Sequence, residues 1–303
     1  RRVRSAAVES DLIDIHWTYP EAPAGALLAK RWSKPYAMTL RGKEAFYAGM
    51  GAAREQQILV AIENAEAVVA VSKELENLAS EKVVMKGRST TIPNGVDLNR
   101  FSRGDQGEAR RSVNVSETEP MVVSVGFLSE RKGFHTLIAC WPKVIENVPG
   151  ARLYIIGDEG AEGSRAYTER LITLIDELDL QDHVFLVGRK SPDELVNWYR
   201  AADLFALATA GEGSPNVVLE ALATGLPAIV TDVGGVREIL AEPHLGEAVD
   251  AQSGDWAPAL SRALEKRWDK SQICDTMARR TWNECAGKVV SFLESAVGEG
   301  QQR

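Results

Sequence analysis

The strongest restriction on the fold comes from five short, almost wholly apolar runs in the second half of the chain. They are MVVSVGF (121–127), RLYIIG (152–157), HVFLVG (183–188), DLFALA (203–208) and PAIVTD (227–232). A turn rich in glycine or charge follows each run, and stretches of helical period lie between them. After the first run, Phe134, Leu137, Ile138, Trp141 and Ile145 fall on one helical stripe, with Pro142 predicting a kink. Further helices are expected near 165–179 and 192–200. Strands that are apolar along their whole length need cover on both faces, so the pattern predicts βαβ units and a mainly parallel sheet.

The first half carries a thinner form of the same signal in DLIDIHW (11–17), PYAMTL (35–40), AVVAVS (67–72) and STTIP (89–93). Between the halves, residues 102–120 are polar and aperiodic, which predicts a linker. The expected organisation is a partial first domain over 1–101, that linker, and a second domain over 121–270. A C-terminal helix over 271–303, carrying Met277, Trp282, Val289, Phe292 and Leu293, is expected to brace the two.

With 45% apolar and 26% charged residues, the 303-residue chain has the composition of a soluble globular protein. A net charge of −8 argues against a nucleic-acid partner, because displacing counterions from phosphates needs a positive surface. Cys140, Cys274 and Cys285 are odd in number and widely spaced, which fits reduced thiols and a cytoplasmic location better than a disulfide or zinc framework. No apolar run approaches the ~20 residues needed to cross a bilayer.

The chemistry concentrates in GEGSPNVVLEALATGLP (211–227), where Glu212 and Glu220 are separated by seven residues. Ser214 is expected to cap a helix over 215–224 that opens on Pro215 and stops at Gly225 and Pro227. Asn216 and Glu220 share a face of that helix, and Glu212 sits in the loop before it. In an open α/β sheet ligands bind beyond the carboxyl ends of the strands, so both carboxylates are placed at such a crevice. Carboxylates accept hydrogen bonds from sugar hydroxyls, and exposed helix N–H groups suit a phosphate. A solvated loop residue at 212 and a helix-surface carboxylate at 220 fit the periodicity equally well. In the turn GFLSERKGF (126–134), Arg131 and Lys132 precede Gly133, where cations can meet the charge growing on a leaving diphosphate. His135, His183 and His244 have no partners at metal-ligand spacing and read as structural.

Four ordered segments, IPNGVDLNRF (92–101), VGFLSERKG (125–133), VGRKSPDELVNWYRAADLFALAT (187–209) and EGSPNVVLEALATGLPAIVTDVGGVREI (212–239), resemble the retaining glycosyltransferases of family 4. The last of them resembles the family's E-x7-E element. The resemblance implies the GT-B fold: two Rossmann-like doubly wound domains facing each other across a cleft, the first of them incomplete here because its N-terminal segment is expected to be missing. It implies a nucleotide-diphosphate sugar as donor substrate, a glycan or lipid-linked acceptor, and no metal or other cofactor. A lipid-linked acceptor would imply peripheral contact with the inner membrane face. It implies that Glu212 touches the transferred sugar, Glu220 the ribose, and Gly213, Ser214, Pro215, Asn216 and Val217 the diphosphate region. Gly188 and Arg189 would lie near the base, and Gly126, Arg131 and Lys132 near the diphosphate. His16 and Arg41 are the acceptor-side candidates. Two positions depart from the family pattern: Phe127 stands where many relatives have arginine, and Arg41 where many have histidine. A nucleotide-sugar-binding fragment without catalysis and a GT-B sugar-nucleotide epimerase are the alternative readings.

Overall fold

The computed structural model describes residues 9–42, 51–160, 163–252 and 254–300. Its contacts divide into two compact units. The first comprises Arg1–Gly95, Gly211–Ser214 and Trp282–Arg303, and the second Val96–Ala210 and Pro215–Thr281.

The first unit begins with β1 (Ile13–His16), α1 (Glu21–Trp32), β2 (Tyr36–Leu40), α2 (Ala52–Glu63), β3 (Ala67–Ala70), α3 (Lys73–Lys82) and β4 (Arg88–Thr91). The strands form one parallel sheet in sequence order, with Ile13 opposite Tyr36, Ala37 opposite Ala67, and Ala67 opposite Arg88. β2 and β3 are buried along their whole length, as strands covered on both faces must be. Ile15, Met38, Leu40 and Val68 pack against Ala22, Ile58, Ile62 and Leu75 from the helices. Helix α3 starts where it does because the Ser72 hydroxyl accepts a hydrogen bond from Leu75 N–H.

The second unit runs α4 (Gln106–Ser112), β5 (Met121–Val125), α5 (Phe134–Asn147), β6 (Arg152–Ile156), α6 (Arg165–Glu177), β7 (Val184–Gly188), α7 (Pro192–Ala201), β8 (Leu204–Leu207) and α8 (Asn216–Ala223). It ends with β9 (Ala228–Thr231), α9 (Val236–Ile239), β10 (Gly246–Val249), α10 (Trp256–Glu265) and α11 (Lys270–Met277). The final helix, α12 (Trp282–Gly300), belongs to the first unit, where its Ala296 packs against Ala37 and Ala67. The sheet of the second unit is parallel with order β10-β9-β8-β5-β6-β7. Met121, Val123 and Val125 enter one core and Val122 the other, the latter beside Leu137 and Trp141, so alternate residues of β5 serve opposite layers. Helix α7 opens with the capping box that Ser191 and Glu194 allow, with Pro192 in its first turn.

Two details differ from the sequence expectations. The stretch 102–120 contains α4, whose Arg110 is buried: its Nε–H donates to Ala201 O at 2.9 Å, Nη1 to the carbonyls of Ser116 and Glu117, and Nη2 to Asp203 at 2.8 Å. A polar sequence concealed this helix because it buries only Ala109 and the guanidinium-bearing Arg110. The C-terminal helical pattern is two helices in different units, α11 and α12, separated where Val96 N–H donates to Arg280 O at 2.8 Å and Val96 pairs with Thr281. Helix α5 contains Pro142, as the sequence pattern expects. Because Arg110 satisfies three carbonyls and one carboxylate, Arg110→Ala is expected to lower unfolding free energy by about 3 kcal/mol, read from urea denaturation.

Candidate functional site

In the second unit the strand order runs outward from β5 through β6 to β7 and, on the other side, from β8 through β9 to β10. The chain therefore reverses direction across the sheet between β5 and β8, the place where ligands of open α/β sheets bind, beyond the strands' carboxyl ends. Two loops meet there. The turn after β5 forms a short 3-10 segment, Glu130–Lys132, closed by Gly133 with φ of +67°. A Cβ at Gly133 would overlap the carbonyl of Ala208, so glycine is required both by conformation and by close approach. The loop after β8 is tied to the same turn, since Ala210 N–H and the Thr209 hydroxyl both donate to Arg131 O, at 2.7 and 3.0 Å.

These constraints fix Lys132. Its aliphatic chain lies over Gly126 at the end of β5, where an added Cβ would meet its Cγ, Cδ and Cε at 3.3 Å, and the residue is only 9% exposed. Arg131 is half-buried beside it. Behind the turn, Tyr167 of α6 accepts a hydrogen bond from His135 N–H at 3.3 Å and meets His135 Nδ1 at 2.9 Å, and Arg170 pairs with Glu130. Burial and the nearby Arg170 guanidinium hold the His135 imidazole below its ordinary pKa. Phe127 is exposed, with its ring against Gly160. At the end of β7, Gly188 has φ of +77° and accepts from Gly157 N–H at 3.1 Å; Arg189 is exposed and lies 3.9 Å from Asp158.

Helix α8 begins at Asn216 with Pro215 as its N-cap, and the expected cap by the Ser214 side chain is not made. The Ser214 hydroxyl is buried and has no hydrogen-bond partner among the described residues, while its carbonyl accepts from Asn94 Nδ2 at 3.1 Å. Pro215 is buried, Asn216 exposed and Val217 half-buried. Glu220, half-buried one turn along, accepts a hydrogen bond from the Tyr199 hydroxyl at 3.1 Å. Burial raises its carboxyl above the ordinary value, opposed by that hydrogen bond and by Arg100. Tyr199 was not identified in the sequence as a site residue; its spacing in α7 signals only a core position.

The loop Gly211–Ser214 groups with the first unit, so Glu212 and Glu220 belong to different units. Glu212 is buried. Gly213 abuts Arg41, whose carbonyl a Cβ at 213 would overlap. The two acceptor-side candidates are brought together: Arg41 donates from Nε and Nη2 to His16 Nδ1 at 3.0 and 2.9 Å, and His16 Nε2 meets Asp14 Oδ2 at 3.0 Å. Because arginine cannot accept, Nδ1 is the acceptor and the imidazole proton sits on Nε2, facing Asp14. Next in the chain, Trp17 is 55% exposed and adopts φ of +75°, a conformation costing about 1–3 kcal/mol for such a residue.

The pattern described as "Glycosyl transferases group 1" matches residues 105–281, more than half of the chain. The chain belongs to this family. A second pattern, "Glycosyltransferase Family 4", matches residues 1–100. Among curated relatives of this chain, the D-inositol 3-phosphate glycosyltransferase of Corynebacterium urealyticum is 29% identical over 80% of this chain and 58% of its own length. That of Mycolicibacterium smegmatis is 30% identical over 84% of this chain and 60% of its own length. The chain thus spans about three fifths of these relatives. Sucrose-phosphate synthase from Thermosynechococcus elongatus shares its fold with a TM-score of 0.77 at 24% identity, over 99% of this chain and 75% of that one. Anabaena HepE in complex with UDP does so with a TM-score of 0.85 at 21% identity, over 97% and 81%. These neighbours have the GT-B fold, and the chain shares that fold class.

Two outcomes test the geometry of the second unit. Gly133→Ala is expected to destabilise the chain by about 3 kcal/mol in urea unfolding, since the new methyl meets main chain that cannot yield. Glu220 binds its proton more tightly folded than unfolded, so its contribution is fully present below the ordinary carboxylate pKa and is lost as pH rises through the raised folded value. Glu220→Gln is therefore expected to raise the melting temperature at pH 7 relative to the parent and to change it less at pH 4, measured by calorimetry.

Proposed function

We propose that this chain moves a sugar from a nucleotide-diphosphate donor to a glycan or lipid-linked acceptor, with retention at the anomeric carbon and without a metal. The observation that carries the reading is the turn at the β5–β8 reversal, where buried Lys132 lies over Gly126. A cation held out of bulk water at a strand end is placed to stabilise the charge that develops on a departing diphosphate, and the N-terminus of α8 adds main-chain N–H groups. Glu220, with one oxygen engaged by Tyr199, accepts the ribose hydroxyls, and Gly188 and Arg189 flank the base. Glu212 accepts from hydroxyls of the transferred sugar. His16 and Arg41 serve the acceptor. HepE has been crystallised with UDP and with UDP-glucose, which favours a uridine diphosphate sugar as the first donor to try.

With cations and main chain in place of an acid–base pair, catalysis rests on positioning and on leaving-group stabilisation. No helix of the described residues is long and apolar enough to cross a membrane. A lipid-linked acceptor would bring the chain to the inner face of a membrane through that substrate.

UDP-glucose turnover with an acceptor extract tests the reading. Lys132→Ala and Glu212→Ala are each expected to lower kcat/KM for UDP release by roughly 100-fold or more. Release unaffected by both substitutions would count decisively against the assignment. Tight calorimetric binding of UDP-glucose with no turnover would favour a binding module, and conversion of donor without acceptor an epimerase.

A further inference from the structure

We infer that the Asp14–His16–Arg41 relay and Trp17 in the first unit form a subsite for an acceptor that carries an anionic group, a phosphate or a carboxylate, on a hydroxylated ring. The inference deepens the transferase reading and rests on it.

Four observations converge on the carboxyl ends of β1 and β2. The strands are paired in register up to His16 opposite Thr39, and Trp17 N–H continues the ladder to Thr39 O at 3.2 Å, so Trp17 and Arg41 emerge from adjacent strand ends. Arg41 is aimed by His16, and His16 by Asp14, through hydrogen bonds of 2.9–3.0 Å. Trp17 keeps a large ring in solvent on a left-handed backbone, a conformation that costs energy and clusters at functional sites. Thr18, 1% exposed, buries a hydroxyl that has no hydrogen-bond partner among the described residues.

The chemistry follows from these groups. His16 takes two N–H donors of Arg41, leaving the guanidinium further donors in a planar fork suited to paired oxygens of a carboxylate or phosphate. Asp14 spends its charge on His16 Nε2–H and accepts from the Thr39 hydroxyl at 3.5 Å, which lessens its repulsion of an incoming anion. An exposed indole offers a flat apolar face to the C–H side of a sugar or cyclitol ring while the ring's hydroxyls stay wet. Arg41 thus selects for charge and Trp17 for the ring. Gly213 abuts the Arg41 carbonyl, so Glu212, the next residue back along the chain, belongs to the same neighbourhood of the first unit.

Isothermal titration of the chain with glucose 6-phosphate, glucuronate, glucose and inorganic phosphate tests this. Both charged sugars are expected to bind at least tenfold more tightly than glucose; a preference for one of them identifies phosphate or carboxylate as the natural group. Trp17→Ala is expected to weaken the charged sugars at least fivefold while leaving inorganic phosphate unchanged, with Trp17→Phe restoring most of the loss. Arg41→Gln is expected to abolish the preference for charge, and Arg41→Lys to restore part of it. Equal binding of glucose and glucose 6-phosphate, or Trp17→Ala weakening phosphate as much as the sugars, overturns the inference. UDP titrated into the unsubstituted chain separates the two levels. UDP binding without charged-sugar binding defeats the subsite alone, and absence of UDP binding defeats the transferase reading beneath it.

Discussion

One carbonyl oxygen organises the loops at the carboxyl ends of β5 and β8 in the second unit. Arg131 O accepts from Ala210 N–H and from the Thr209 hydroxyl, and so joins the turn after β5 to the loop after β8 across the point where strand order reverses. Each such bond contributes only about 1 kcal/mol net. Their value lies in geometry: they hold two loops from different βα units in one register, with Gly133 packed on Ala208 because it has no side chain. Lys132 then has little choice but to cover Gly126, and a flexible cation becomes a fixed one.

Two carboxylates show how the fold separates structural charge from available charge. Burial acts to raise the Glu76 carboxyl, but donors from Lys73, Thr91 and Ser89 together bring it below its ordinary value. Glu220 is also withdrawn from water, yet its hydrogen-bond donor is a single phenol, and its carboxyl stays raised. A satisfied carboxylate stabilises α3 and β4. An under-supplied one stands at a cost that a bound diol would remove by donating its hydroxyls.

Much of the architecture was readable in advance because apolar runs and their periods report directly on burial. All nine expected strands exist, displaced by a residue or two at their ends. Helices α1, α2, α3, α9 and α10 were not placed individually, and two further elements were invisible to that logic. β10 has the sequence GEAV, too short and too polar to register, and α4 hides its contribution in the buried guanidinium of Arg110. Around the candidate site, the turn after β5 and the loop before α8 were legible, since glycine, proline and charge mark loops. The Ser214 cap failed because Pro215 occupies the N-cap position itself. Tyr199, the Asp14 end of the relay and the strained Trp17 depend on contacts and backbone angles that no local pattern encodes.

The division of the chain leaves four residues, Gly211–Ser214, assigned to one unit while both of their neighbours along the backbone, Ala210 and Pro215, belong to the other. A tether secured at each end in this way makes the two units inseparable as gene fragments: excising 96–281 carries away a piece of the first unit, and no single cleavage point divides the protein along its own seam. The same threading means that the main chain passes from one unit to the other twice within five residues, at 210–211 and at 214–215.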